Sequence, residues 1–235
     1  MIGKIIIKYD VIDSTNDYIK QNVDKLVDGT VITAKSQTKG RGRRENLWQS
    51  LEGNLYFSFL LKQEYTHKDS FFFNMLTAVS IVKTLEKYQI KSVIKYPNDI
   101  VIDNKKIAGI LIETSGYKAI ESVVIGVGIN LNQTDFFELD HRATSIIKIT
   151  KDFLEPQVLL EDFIDQFNRL ASRNDIYNLY LEYSNIIGKK IHFRNQYFQI
   201  TEILSNGNLR LKNEKLDIEV SYNDISLTEL YSEEV

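Results

Sequence analysis

The sequence predicts an α+β chain in which helices and strands share one larger unit and a small all-β unit follows. Three observations predict it. Phe72, Met75, Leu76, Val79, Val82 and Leu85 recur at helical spacing and mark a long core helix. Residues 123–129 form an almost unbroken apolar run, as a strand buried on both faces requires. After Gly188 the pattern changes to short strands at 190–194, 197–204, 209–212 and 216–220, parted by Asn195-Gln196, Asn206-Gly207 and Asn213-Glu214. Asn-Gly is a strong hairpin signal, and short strands in such succession can close a small barrel.

In chain order, residues 5–9 read as a strand, and Asp13 or Ser14 is placed to cap a short helix running toward Gln21. Residues 54–61 are a β-rich run with aromatics at Tyr56, Phe57 and Phe59. Beyond the long helix, Val93 and Ile94 end a strand that Pro97 breaks; residues 100–102 resume extended structure, Asp103-Asn104 makes a tight turn, and 107–112 form the next strand. Pro156 suits the first turn of another helix, because Leu159, Leu160, Phe163, Ile164, Phe167 and Leu170 form one stripe.

Composition bounds the function classes. The chain has 235 residues and 43% apolar content, enough for one substantial core and a small second unit. A net charge of −3 argues against general affinity for nucleic acid. With no cysteine there is no disulfide, thiolate catalysis or cysteine metal site, which suits a cytoplasmic setting. Residues 5–7 are too short an apolar run for a signal peptide, and nothing approaches a membrane span. His67, His141 and His192 are too scattered for a metal site or a triad.

Two segments carry chemistry. Lys35, Lys39, Arg41, Arg43 and Arg44 crowd around Gly40 and Gly42, with no acid until Glu45. The glycines permit backbone conformations closed to other residues and let main-chain N–H groups approach an anion, while the arginines supply forked, permanently charged donors. The expected guest is a nucleotide or polyphosphate; a solvated surface loop or a nucleic-acid patch is the competing reading. The second segment sets Asn98-Asp99, an amide and a carboxylate, after Pro97, with Lys105 and Lys106 following the Asp103-Asn104 turn. Read alone, Pro-Asn-Asp is simply a turn, and Lys106 is a surface partner of Lys105.

Taken together, the segments resemble the biotin protein ligases. The family's glycine- and arginine-rich biotinyl-adenylate loop matches residues 40–44 and Trp48, and its Lys-Trp-Pro-Asn-Asp motif matches residues 95–99 with Tyr96 for the tryptophan. Its Lys-(Ile/Leu)-Ala-Gly-Ile-Leu segment matches residues 106–111, its Gly-x-Gly-Ile-Asn segment matches residues 126–130, and Asp13-Ser14-Thr15-Asn16 matches near the N-terminus. Motifs in the family's order from residue 10 to about 145 are far more specific than any one of them. The departure is in the loop, where Glu45 and Asn46 stand in place of a frequent glycine and arginine.

The resemblance implies a mixed β-sheet packed with helices, of the class II synthetase-like kind, over residues 1–186, and an SH3-like barrel over 187–235. It implies an ATP-dependent ligase that forms biotinyl-5'-AMP with Mg²⁺ and passes biotin to a lysine of a biotin carboxyl carrier protein domain. The first strand begins at Lys4, which matches the monofunctional class with no DNA or membrane among its partners; a homodimer is allowed. Ser14, Thr15, Asn16, Gln37, Gly40, Arg41, Gly42, Arg43 and Lys106 correspond to the biotin site. Arg43, Trp48, Asn98, Asp99 and Asn130 correspond to the adenylate site. Arg43, Lys106 and Asp99 are the candidate catalytic residues, Asp99 either holding Mg²⁺ or assisting deprotonation of the acceptor lysine. Lipoate or octanoyl transfer on the same fold, and a nonenzymatic binding module, are the alternative functions; Glu45 and Asn46 also admit a ligase that binds without turnover.

Overall fold

The computed structural model describes residues 1–43, 46–62, 67–116, 120–139, 141–221 and 224–225, the side chains of 67–69 and 138 excepted. Arg44 and Glu45, on which part of the loop reading falls, lie outside the described residues. A seven-stranded mixed sheet has the order β1-β2-β3-β7-β6-β5-β4. Strand β1 (Ile6–Ile12) runs parallel to β2 (Val31–Gln37) by way of helix α1 (Thr15–Gln21), and every other pairing is antiparallel. The remaining strands of the sheet are β3 (Leu55–Leu61), β4 (Val93–Lys95), β5 (Asp99–Ile102), β6 (Lys105–Ser115) and β7 (Ser122–Ile129).

Alternation along the strands separates two faces. On β3, Phe57 and Phe59 enter the main core with β7's Val123 and Ile125. That core is covered by α2 (His67–Lys87), α4 (Pro156–Leu170) and α5 (Ile176–Ser184). Phe163 and Phe167 of α4 lie 4.9 Å from Phe57 and Phe59 respectively, ring centre to ring centre. Leu60 and Val124 face the other way, toward Ile19 of α1. The cross-strand pairs Ser58↔Gly126, Leu111↔Gly126 and Gly109↔Gly128 put three glycines on this second face, leaving a bare stretch of sheet beyond α1.

A short α3 (Ile146–Thr150) precedes α4, and Pro156 stands in the first turn of α4 as expected, with the apolar stripe buried. Strands β8 (Lys190–Phe193), β9 (Gln196–Ile203), β10 (Leu209–Lys212) and β11 (Asp217–Val220) form a four-stranded antiparallel sheet in the order β11-β10-β9-β8, which answers to the SH3-like unit. Its Ile200, Leu209 and Leu211 belong to the same continuous core as the larger sheet. The turns differ in detail from the sequence reading. The first hairpin turns on Arg194 and Asn195, both at positive φ, one residue earlier than expected. Asn206-Gly207 sits inside a longer connection, closed by Leu204 N–H donating to Asn208 O. Among the described residues no helix is long and apolar enough to cross a membrane.

Candidate active site

The bare face of the sheet floors a cavity of about 640 Å³, roofed by the loop after β2 and by the β4–β5 turn. One end is neutral and polar. Ser14 caps α1 through its Oγ, which accepts from Asp17 N–H at 3.3 Å, and the capped helix presents Thr15 and Asn16 to the cavity. Thr15 donates from both N and Oγ1 to Gln37 Oε1 (2.9 and 3.1 Å), while Gln37 Nε2 donates to Ser50 Oγ and Ser50 in turn to the Trp48 carbonyl. Ser58 Oγ lies 2.6 Å from Thr15 Oγ1 and 2.5 Å from Asn16 Oδ1. Asn16 Nδ2 donates to Glu113 Oε2 at 2.8 Å. Close polar contacts thus run from Glu113 to the loop, with the one Ser58 hydroxyl proton shared between Thr15 Oγ1 and Asn16 Oδ1.

The glycines under this network explain its closeness. A Cβ on Gly126 would lie 2.1 Å from Asn16 Oδ1, and Cβ atoms on Gly128 and Gly109 would lie 2.5 and 2.9 Å from the Trp48 indole. The close approach that Gly-x-Gly permits is therefore made first by the protein's own side chains. Trp48 Nε1 is buried with no hydrogen-bond partner among the described residues, a donor in the cavity wall.

The other end is charged. Lys106 Nζ lies 2.7 Å from Asp99 Oδ1 and 4.9 Å from the Trp48 ring centre. Arg43 donates to Asn98 Oδ1 at 3.1 Å, tying the loop to the turn between β4 and β5. That turn is held from three sides: Asn98 Nδ2 donates to Ile110 O (2.7 Å), Asn74 of α2 and Tyr180 of α5 both donate to Pro97 O (2.6 and 2.7 Å), and Tyr96 OH donates to Gly207 O of the smaller sheet. Asp224 and Ile225, beyond β11, also line the cavity.

Between the two ends Arg41 reaches back to α1 and β6, 2.5 Å from Asp17 Oδ1 and 3.5 Å from Glu113 Oε1. Lys20 Nζ meets the same Glu113 oxygen at 2.7 Å. Burial alone would raise the Glu113 carboxyl, yet the hydrogen bonds from Lys20 and Asn16 and the charges of Lys20 and Arg41 outweigh it and hold the group below the usual glutamate range.

Of the residues expected from the sequence, Ser14, Thr15, Asn16, Gln37, Arg41 and Gly42 line this cavity. Arg43, Trp48, Asn98, Asp99 and Lys106 join them there. Gly40 and Asn130 are not brought to its wall. Gly40 is glycine because a Cβ would meet Ser50 Oγ at 2.4 Å and the Trp48 carbonyl at 2.5 Å. Asn130 spends its amide inside the fold, donating to Thr144 O at 3.0 Å. Neither Gly40 nor Gly42 takes a positive φ, so the expected unusual loop backbone is absent at both. Arg41 instead pairs antiparallel with Leu47 in an isolated bridge, and Gly42 N–H donates to Asn46 O. The sequence reading missed Ser50, Ser58, Asn74, Glu113 and Tyr180; only Glu113, an acid closing an otherwise apolar strand, carried a visible signal.

A glycine-floored cavity with a neutral hydrogen-bonding end and a cationic end suits a small molecule that carries a neutral polar group and an anion. The chain belongs to the biotin/lipoate A/B protein ligase family, which matches residues 9–130. It is 34% identical over 176 residues to the bifunctional ligase/repressor BirA of Bacillus spizizenii, covering 72% of this chain and 54% of that one. To the BirA of Bacillus subtilis it is 37% identical over 153 residues, covering 62% and 47%. The chain thus spans about half the length of these curated relatives. Among solved structures, a biotin protein ligase from Aquifex aeolicus in complex with biotin and ATP superposes with a TM-score of 0.77 at 25% identity, covering 95% of this chain and 98% of that one.

Proposed function

We propose that the chain is an ATP-dependent ligase that activates biotin as biotinyl-5'-AMP and transfers it to a lysine of a biotin carboxyl carrier protein domain. The observation that carries this reading is the joining, in one cavity, of a neutral donor and acceptor network at Thr15, Asn16 and Gln37 to the cations Arg43 and Lys106. Biotin has the same division, a ureido ring at one end and a carboxylate at the other. The Aquifex ligase, solved with biotin and ATP, supports it.

In the first step a biotin carboxylate oxygen attacks the α-phosphorus of ATP and pyrophosphate departs, giving a mixed anhydride. Arg43 and Lys106 offset the negative charge that gathers as two anions meet, and Trp48 covers the anhydride from water. In the second step the ε-amine of the acceptor lysine attacks the acyl carbon, AMP leaves and an amide forms. Asp99 orients Lys106 through their ion pair and stands where the incoming amine must shed a proton. Among the described residues no three His, Cys, Asp or Glu gather to hold a metal, so Mg²⁺ belongs to this reading as part of the MgATP substrate, with Asp99 as one oxygen near it. Residues 1–186 form the catalytic unit and 187–235 the C-terminal unit, acting in the cytoplasm without DNA.

An octanoyl or lipoyl chain is the weaker fit. It has no polar group to meet the spare N–H of Asn16 Nδ2, and leaving a buried donor unmet costs on the order of 1–3 kcal/mol. Incubation with MgATP, a carrier domain and either acid tests the reading. Biotin-dependent pyrophosphate release and a biotinylated lysine are expected; release that depends on lipoate or octanoate, with none on biotin, would overturn it.

A further inference from the structure

We propose that Glu113 is a positioning residue that fixes which way the Asn16 amide faces, making Asn16 a hydrogen-bond donor toward the ureido carbonyl of biotin. This rests on the biotin reading above and adds a residue that takes no direct part in it. An ionised carboxylate only accepts, so whatever Asn16 presents to Glu113 must be its Nδ2. The Asn16 Oδ1 then falls to Ser58, whose hydroxyl can donate or accept and so sets no direction of its own. Lys20 and Arg41 keep Glu113 in its accepting form from the far side. Asn16 is buried at the cavity wall, and Nδ2 has a second N–H beyond the one given to Glu113. A ureido group has one acceptor, its carbonyl, and two N–H donors, so a locked donor at Asn16 selects the carbonyl.

Glu113→Gln separates shape from polarity. The new amide turns its oxygen to Lys20 and Arg41, which leaves its NH₂ against the NH₂ of Asn16; Asn16 must turn over, and an oxygen then confronts the ureido carbonyl. Losing one partner of a buried hydrogen bond in this way weakens biotin binding roughly tenfold or more, read as Kd by calorimetry without ATP. A second variant, Glu113→Gln with Asn16→Asp, restores the pair, since the glutamine now donates to a carboxylate. Its melting temperature should return toward that of the wild type while biotin affinity stays low, because a carboxylate has nothing to donate to a carbonyl. Biotin binding unchanged in Glu113→Gln, or recovered along with stability in the double variant, would reduce Glu113 to a structural prop and overturn the proposal. Failure of the wild type itself to bind biotin would overturn the functional reading and this inference together, and so is distinguishable from failure of Glu113 alone.

Discussion

The two ends of the cavity are built on opposite principles. At the polar end Thr15, Asn16 and Ser58 are buried and joined to one another, and the strand beneath them is glycine because nothing larger fits. At the charged end Lys106 and Asp99 keep about a third of their side-chain surface in water, and among the described residues a Cβ on Gly42 would meet nothing closer than Asn46 O at 3.6 Å. Recognition of a neutral ring depends on where each proton points, which requires fixed geometry. Handling of anions depends on charge, which acts through distance and tolerates adjustment.

The sharpest way to break this contrast is to add one carbon at each end. Gly126→Ala drives a Cβ to 2.1 Å from Asn16 Oδ1, and Asn16 is held by Ser58 and Glu113, so it cannot give way cheaply. Overpacking of this kind costs about 1–3 kcal/mol of stability, and biotin binding should be lost with it. Gly42→Ala places its Cβ 3.6 Å from Asn46 O, an ordinary van der Waals contact, and should leave stability within experimental scatter and biotin binding far less changed than Gly126→Ala does. Urea unfolding and calorimetry on the pair decide it; equal effects would mean the loop is as tightly built as the sheet.

Next in size is Lys106→Ala. Removing a charge-assisted contact to the biotin carboxylate or the α-phosphate costs about 1.5–3 kcal/mol, so adenylation should slow roughly ten- to a hundredfold. Stability should hardly change, because its ion pair with Asp99 is partly solvated. Single-turnover pyrophosphate release alongside thermal melting gives both quantities, and a melting loss that matched the rate loss would make Lys106 structural.

These contrasts also account for what could be read in advance. The charged end was legible because Arg41, Arg43, Asp99 and Lys106 are unusual residues in compact, ordered motifs. The long helix and β7 were legible because burial imposes period and apolar runs. The supports of the polar end were not: Ser50 and Ser58 look like any serine, and their partners lie in other strands. Strand β2 has only a short apolar stretch before turning polar, and α5 hides its buried Tyr180 among half-buried tyrosines, so neither stood out. Asn130 shows a related point: the motif identifies the residue without saying that its Nδ2 donates to Thr144 O inside the fold.

Tyr96 is where this chain departs from the family's tryptophan, and its hydroxyl donates to Gly207 O across to the smaller sheet. Tyr96→Phe removes that bond, at a cost of about 1 kcal/mol. Hydrogen exchange should quicken in the 204–208 connection while the buried β3 and β7 amides keep their protection. Uniform quickening would show that the two sheets open as one unit.

The smallest expected effect concerns acid. Glu113 sits below its ordinary value of 4.5, so its contribution is fully present above that pH and is lost only as pH falls through the lower folded-state value. The stability difference between wild type and Glu113→Gln, a pair that isolates this carboxyl from the other titrating groups, should stay flat from neutral pH to about 5 and shrink only below 4.5. The difference itself should be modest, because the charges that hold Glu113 are partly exposed and pairs of that kind are worth about 1 kcal/mol or less. Urea midpoints for both proteins across that range measure it. A difference that already fades between pH 7 and 5.5 would mean that burial outweighs Lys20, Asn16 and Arg41, so that the polar end of the cavity holds a carboxyl too weakly ionised to orient its neighbour.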